Sequence, residues 1–174
     1  MSKQRVTVQI TTKDRHSEMA LLMENLRKQT YQEFDLVILD DASGTPLTSC
    51  AFFTHIVNRM KLEGHRVKQL RNNISQGVCA ARNECIKQDV FGNPLTFRCD
   101  DDVLLEADYI ERLVNVIKSG YDVASGIVPL VAFPEKEREN RFLGKIINEH
   151  KLDKKGNLVL NKDECGYAYL DEGV

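Results

Sequence analysis

The chain has 174 residues, 42% of them hydrophobic, and a formal net charge of -2. That length suits one domain around a single core, and the apolar share is too high for a disordered chain. The near-neutral charge gives no reason to expect a nucleic-acid partner, no apolar run approaches a membrane span, and the polar start, Met1 to Gln9, is unlike a secretion signal.

Strand and helix signals alternate along the chain. Arg5 to Ile10 alternates β-branched residues (Val6, Val8, Ile10) and predicts a strand. Met19, Leu22, Met23 and Leu26 recur at helical spacing, so a helix is expected over about Ser17 to Lys28. Phe34 to Leu39 is a near-continuous apolar run, the signature of a parallel strand buried on both faces. It ends in Asp40-Asp41-Ala42-Ser43-Gly44, a turn composition. A second helix carries Phe52, Phe53, Ile56, Val57 and Met60, and Arg66 to Leu70 is a short third strand. Gly77 opens a third helix with Val78, Ala81 and Cys85 on one face. Pro94 to Cys99 leads into Asp100-Asp101-Asp102, and a fourth helix follows with Ile110, Leu113, Val114 and Ile117. Tyr121 to Leu130 is a fifth strand candidate. This succession predicts an α/β fold, a mostly parallel sheet with helices on both faces.

Beyond Pro129 the pattern degrades. Phe133 to Asn140 is highly charged and is expected as a solvated loop or exposed helix. Leu152 to Leu160 reads as a hairpin turning at Lys155-Gly156-Asn157. The five cysteines (Cys50, Cys79, Cys85, Cys99 and Cys165) are odd in number and lack CxxC spacing. Reduced, mostly buried thiols in a cytoplasmic setting are expected, with any membrane contact made through a partner or a further region. The histidines (His16, His55, His65, His150) show no metal spacing and are expected at the surface or half buried.

In open parallel sheets, ligands bind beyond the carboxyl ends of the strands. Three polar clusters fall at such ends: Thr11 to Arg15, Asp40-Asp41 and Asp100-Asp101-Asp102. Adjacent carboxylates about 4 Å apart repel by roughly 4 kcal/mol at an effective dielectric near 20, so the triple aspartate needs compensation. A hard divalent cation, Mg²⁺ or Mn²⁺, is one answer; a solvated loop capping a helix is the other. Asp40-Asp41 can serve a ligand or an Asx-type turn. Thr11 to Arg15 can grip a base or phosphate, or cap the helix through Thr12 or Asp14. Arg71, Asn72, Asn73 and Gly77 form a fourth cluster, followed by Arg82, which can meet a phosphate or pair with a rim aspartate. No Walker A, GxGxxG or GxSxG pattern occurs.

Taken in order, these segments resemble the family two inverting glycosyltransferases of the GT-A (Rossmann-like) fold. The family's first strand runs into a P-T-Y-N-R-like segment, here Thr11-Thr12-Lys13-Asp14-Arg15. An L-x-x-Q-T-Y helix end corresponds to Leu26 to Tyr31, and V-D-D-x-S to Leu39-Asp40-Asp41-Ala42-Ser43. N-x-G-x-x-x-A-R-N is similar to Asn73 and Gly77 to Asn83, and the D-x-D to Asp100-Asp101-Asp102. Five weak elements in the right order over about residues 5 to 130 make a specific pattern.

The resemblance implies a nucleotide-sugar-binding part over 1–130 and, over 131–174, the start of an acceptor-side region, all within one domain. It implies binding of a UDP-, GDP- or dTDP-sugar through Thr11, Thr12, Asp14, Arg15, Asp41, Asn73, Gly77, Arg82, Asp100 and Asp101. Thr12 and Asp41 would contact the base and Asp101 would sit near the ribose. Asp102 with Asp100 would hold Mn²⁺ or Mg²⁺, and the sugar would pass with inversion to a hydroxyl of a glycan, lipid or protein. Thr11 and Lys13 depart from the family's proline and tyrosine. No catalytic base is assigned; Asp163, Glu164, Asp171 and Glu172 lie where the family's acceptor segment begins, so an incomplete domain is expected. A donor-binding module without transfer activity is the alternative, and a nucleotidyltransferase ranks last because its glycine-rich loop is absent.

Overall fold

A computed structural model of the chain describes residues 4–126 and the backbone of Lys151–Leu152 and Leu158–Val159. Two units separate, residues 1–115 and 116–174. The first holds strands β1 (Val6–Thr12), β2 (Phe34–Asp40), β3 (Val67–Arg71) and β4 (Leu95–Asp100), with helices α1 (His16–Arg27), α2 (Ala51–Leu62) and α3 (Val78–Gln88) and the start of α4 (Tyr109–Lys118). These four strands pair in parallel, in the order β3-β2-β1-β4.

The burial pattern explains that order. Every residue of β2 is buried and β1 is nearly so, as their apolar runs require of central strands. Among the described strands, β3 and β4, shorter and more polar, take the edges. Val6, Val8, Ile10, Phe34, Leu36 and Ile38 pack on one face against Met19, Leu22, Met23 and Leu26 of α1, Phe53, Val57 and Met60 of α2, and Ile110 and Val114 of α4. On the other face, Val37 and Leu39 meet Ala81 and Cys85 of α3.

Several expectations change in detail. Phe52 is 60% exposed, because the apolar residues of α2 outnumber what one helical stripe can bury. His65 is buried, where a surface or half-buried residue was expected; its ring stacks on Phe34 at 4.2 Å and its nitrogens lie 2.8 Å from the Phe34 carbonyl and 3.1 Å from Gln32 Oε1. Cys85 and Cys99 are buried and Cys50 is half buried, while Cys79 is exposed. No strand forms over residues 121–126, where Tyr121 and Val123 are exposed; the rest of that expected strand lies outside the described residues. In the second unit, Lys151–Leu152 (β5) and Leu158–Val159 (β6) pair antiparallel, as the expected hairpin requires. Its turn, the charged stretch 133–140, and Cys165, Asp163, Glu164, Asp171 and Glu172 lie outside the described residues. Among the described residues no helix is long and apolar enough to cross a membrane.

The amino end of the sheet is closed by Asp35, which is fully buried. It accepts from Arg5 Nε at 2.9 Å, Arg66 Nη2 at 2.5 Å, the Arg66 amide at 2.9 Å and Asn93 Nδ2 at 2.9 Å. Burial alone would raise its pKa; the hydrogen bonds from Arg66, Arg5 and Asn93 outweigh that and hold it far below the usual carboxylate range. A folded pKa below the unfolded value, about 3.9, means that the unfolded chain binds more protons in acid. The stabilisation is complete above about pH 4 and is lost as pH falls toward the folded value. Melting temperature is therefore expected to be flat from pH 7 to pH 5 and to drop steeply below about pH 4. A melting temperature that stays level down to pH 3 would contradict this account.

Candidate functional site

Parallel registry brings the strand ends abreast. Thr12 lies opposite Asp40, Thr11 opposite Asp100, and Asp40 opposite Arg71. The expected clusters thus share one rim.

Asp40 and Asp41 are spent inside the loops. Asp40 accepts from the Ser43 amide at 2.8 Å, the Leu47 amide at 2.9 Å and Arg71 Nη1 at 2.5 Å, so the Asx-type turn holds for this residue. Asp41 is 5% exposed. It accepts from Asn72 Nδ2 at 2.7 Å, Ser75 Oγ at 2.8 Å, the Gln76 amide at 3.0 Å and the Gly77 amide at 3.0 Å. Burial pushes its pKa up, but Asn72, Gln76, Ser75 and Gly77 together hold it at about 2. The braced segment delivers Gly77 as N-cap of α3 at φ 81°, a conformation that favours glycine. Asn73 is exposed beside it.

The first loop is tied to the second. The Asp14 amide donates to Ser43 Oγ at 2.8 Å, and the Gly44 amide donates to Asp14 Oδ1 at 2.7 Å. Asp14 (φ 55°) and Ala42 (φ 61°) both adopt the left-handed region, which costs about 1 to 3 kcal/mol each for such residues. Neither Thr12 nor Asp14 caps α1: its N-cap is Arg15 and no side chain bonds there. Thr12 is buried, and its hydroxyl has no partner among the described residues. Thr11 is half buried.

The acid run follows β4 directly. The helix-capping alternative fails, because α4 begins only at Tyr109. Asp101 is buried, while the side chains of Asp100 and Asp102 are 52% and 51% exposed. Arg15 Nη1 reaches Asp101 Oδ1 at 3.0 Å and Asp102 Oδ2 at 2.5 Å. Arg82 Nη2 reaches Asp100 Oδ1 at 2.5 Å, and its buried Nε has no partner among the described residues. The Cys99 thiol is pushed up to about 12 by burial and the three carboxylates, so the rim presents oxygen donors.

The stretch after the acids is pinned by the L-x-x-Q-T-Y segment. Gln29 Nε2 donates to the Glu106 carbonyl at 2.7 Å and its Oε1 accepts from the Ile110 amide at 3.1 Å. The Thr30 amide donates to the Ala107 carbonyl at 2.7 Å, and Asn25 Oδ1 accepts from the Leu105 amide at 2.9 Å. The structural service of Gln29, Asn25, Asn72 and Ser75 was missed from sequence; the Q-T-Y match was the available signal for Gln29. A groove of ≈ 320 Å³ opens beside the rim, lined in part by Gln9, Thr11, Arg82, Asp89, Thr96 and Arg98, within the size range of small-molecule sites.

Among the described residues, no three His, Cys, Asp or Glu side chains converge as a complete metal cage. A hard cation that arrives with phosphate oxygens needs only one or two carboxylates, and the half-exposed Asp100 and Asp102 fit that requirement.

Comparison with known proteins gives a consistent result. The model of glycosyl transferase family 2 matches residues 7–170. The uncharacterized glycosyltransferase YwdF of Bacillus subtilis (strain 168) is 24% identical over 136 residues, covering 76% of this chain and 45% of its own length. S. aureus TarS 1–349 in complex with UDP superposes with a TM-score of 0.54 at 19% identity, over 66% of this chain and 32% of that one. The mannosyltransferase PcManGT from Pyrobaculum calidifontis, in complex with GDP-Man and Mn²⁺, gives 0.54 at 20% identity, over 80% and 38%. At these identities the structural likeness shows the fold, and the chain spans less than half of each of these proteins.

Proposed function

Because the chain belongs to glycosyl transferase family 2, we propose that its rim binds a nucleotide-sugar with a divalent cation and that the protein passes the sugar to an acceptor hydroxyl with inversion. The observation that carries this reading is the acid run at the end of β4, abreast of Thr11 and flanked by two arginines. Asp100 and Asp102 hold Mn²⁺ or Mg²⁺. When bound, the cation supplies Lewis-acid stabilisation of the departing nucleoside diphosphate. Asp101, buried between them, faces the ribose. The orphaned Thr12 hydroxyl is a donor and acceptor with nothing to bond, which suits a base edge. Asp41 acts on the base pocket through the 72–77 segment it braces, with Asn73 and Gly77 forming the wall. Asp14 sets the first loop. UDP, GDP-Man and UDP-GlcNAc are bound by structural neighbours, and a UDP- or GDP-sugar is the donor class proposed for this chain, a dTDP-sugar the next. A glycan, lipid or protein hydroxyl is the proposed acceptor, in the cytoplasm.

The test is thermal melting with UDP, GDP and dTDP, each with and without Mn²⁺. A ligand at a hundred times its Kd adds about 2.7 kcal/mol, or roughly 5 to 10 °C for a chain of this size. No Mn²⁺-dependent shift with any of the three would sink the donor-site reading. If the matching nucleotide-sugar binds but is neither hydrolysed nor transferred, the chain is a donor-binding module and the transfer step fails.

A further inference from the structure

We propose that Arg15 and Arg82 are displaceable counter-ions: they hold the three carboxylates in the ligand-free chain and turn to the diphosphate when it arrives with its cation. The inference rests on the donor-site reading above. Among the described residues, these two guanidiniums are the cations paired to the acid run. They approach from opposite sides, Arg15 from the start of α1 and Arg82 from α3.

The pairing is built to be released. An arginine holds a carboxylate best through two parallel N–H groups. Here Arg15 serves both Asp101 and Asp102 through Nη1 alone, and Arg82 meets Asp100 through Nη2 while its Nε stays unpartnered. Nε and Nη2 of Arg15 and the second terminal nitrogen of Arg82 are thus unspent, and a phosphate group can use them. Both side chains keep solvent contact, 46% and 28% exposed, so they can rotate without opening the core. A divalent cation and the diphosphate of a nucleotide-sugar carry equal and opposite charge, so the exchange leaves the charge balance of the rim unaltered and changes only who pairs with whom. A cation alone must compete with two guanidiniums, and a diphosphate alone must face three carboxylates. Each ligand therefore strengthens the binding of the other, and the arginines set the size of that coupling.

Binding of Mn²⁺ to the 174-residue chain, read by electron paramagnetic resonance with and without UDP or GDP, tests this. Without nucleotide, the R15Q/R82Q variant is expected to bind Mn²⁺ about tenfold tighter than the parent. With nucleotide, it is expected to show less of the gain in Mn²⁺ affinity that the parent shows. Lys87→Gln removes a charge from an exposed residue of α3 and is expected to change Mn²⁺ affinity by less than about twofold. Unchanged or weaker Mn²⁺ binding by the double variant overturns the exchange, and so does an equal shift in Lys87→Gln, which would report the general field. If the double variant does not fold, Arg15→Lys and Arg82→Lys decide: parent-like Mn²⁺ affinity with reduced coupling supports the exchange, and parent-like coupling overturns it. A parent whose Mn²⁺ affinity ignores UDP and GDP alike refutes the donor site itself, and the exchange with it.

Discussion

Asp102→Ala is expected to melt within a few degrees of the parent and to bind Mn²⁺ in the presence of nucleotide on the order of a hundredfold more weakly. The two halves of this result have separate causes. In the ligand-free chain Asp102 is half exposed and pairs with Arg15, also largely in solvent, and such a pair contributes little to stability. Toward a cation it is one of the two proposed carboxylate ligands; its loss leaves Asp100 alone, and the buried Asp101 does not replace it. The measurement is the Mn²⁺-dependent part of the thermal shift produced by UDP or GDP. A variant with the parent's shift would mean that the metal ligand has been misassigned.

Asp41→Ala is expected to show the reverse, a loss of about 2 to 3 kcal/mol of stability by urea unfolding. The alanine leaves the Gln76 and Gly77 amides, Asn72 and Ser75 without their common acceptor. A fully buried donor left unsatisfied costs about 1 to 3 kcal/mol; here Ser75, Gln76 and Gly77 are exposed, so water recovers much of that loss. A loss below about 1 kcal/mol would show that the 72–77 segment is held by other contacts. Asp41→Asn should fall between, since its carbonyl oxygen still accepts while its amide faces N–H groups that it cannot bond.

Chemically identical, Asp40 and Asp41 are buried as braces of the loops while Asp100 and Asp102 stay half exposed, and sequence could not separate them. The V-D-D-x-S and D-x-D matches located both pairs at strand ends, and parallel registry follows from the apolar runs of Val6 to Ile10 and Phe34 to Leu39. Whether a carboxylate is consumed depends on loop donors many positions away, such as Asn72 for Asp41 and Arg71 for Asp40, and no local pattern encodes that distance. The same limit explains His65, whose polarity suggested the surface. Its burial depends on finding the Phe34 carbonyl and ring, contacts made only in the assembled sheet. Gln29 was legible as part of a motif, while its task, gripping the segment after the acids, needed coordinates.

The sheet order has a kinetic meaning as well. β1 finds β2 nearby in the chain, but among the described strands β4 pairs with β1 alone, across the whole span of α1, β2, α2, β3 and α3. That is the largest loop closure in the sheet and the entropically costliest pairing to form. The strand that delivers Asp100, Asp101 and Asp102 is therefore the one whose docking is most non-local. A ligand that bridges the acids to Thr12 would act as a clasp across this closure. Its binding energy would slow the opening of β4 from β1 more than it slows fraying anywhere else in the sheet.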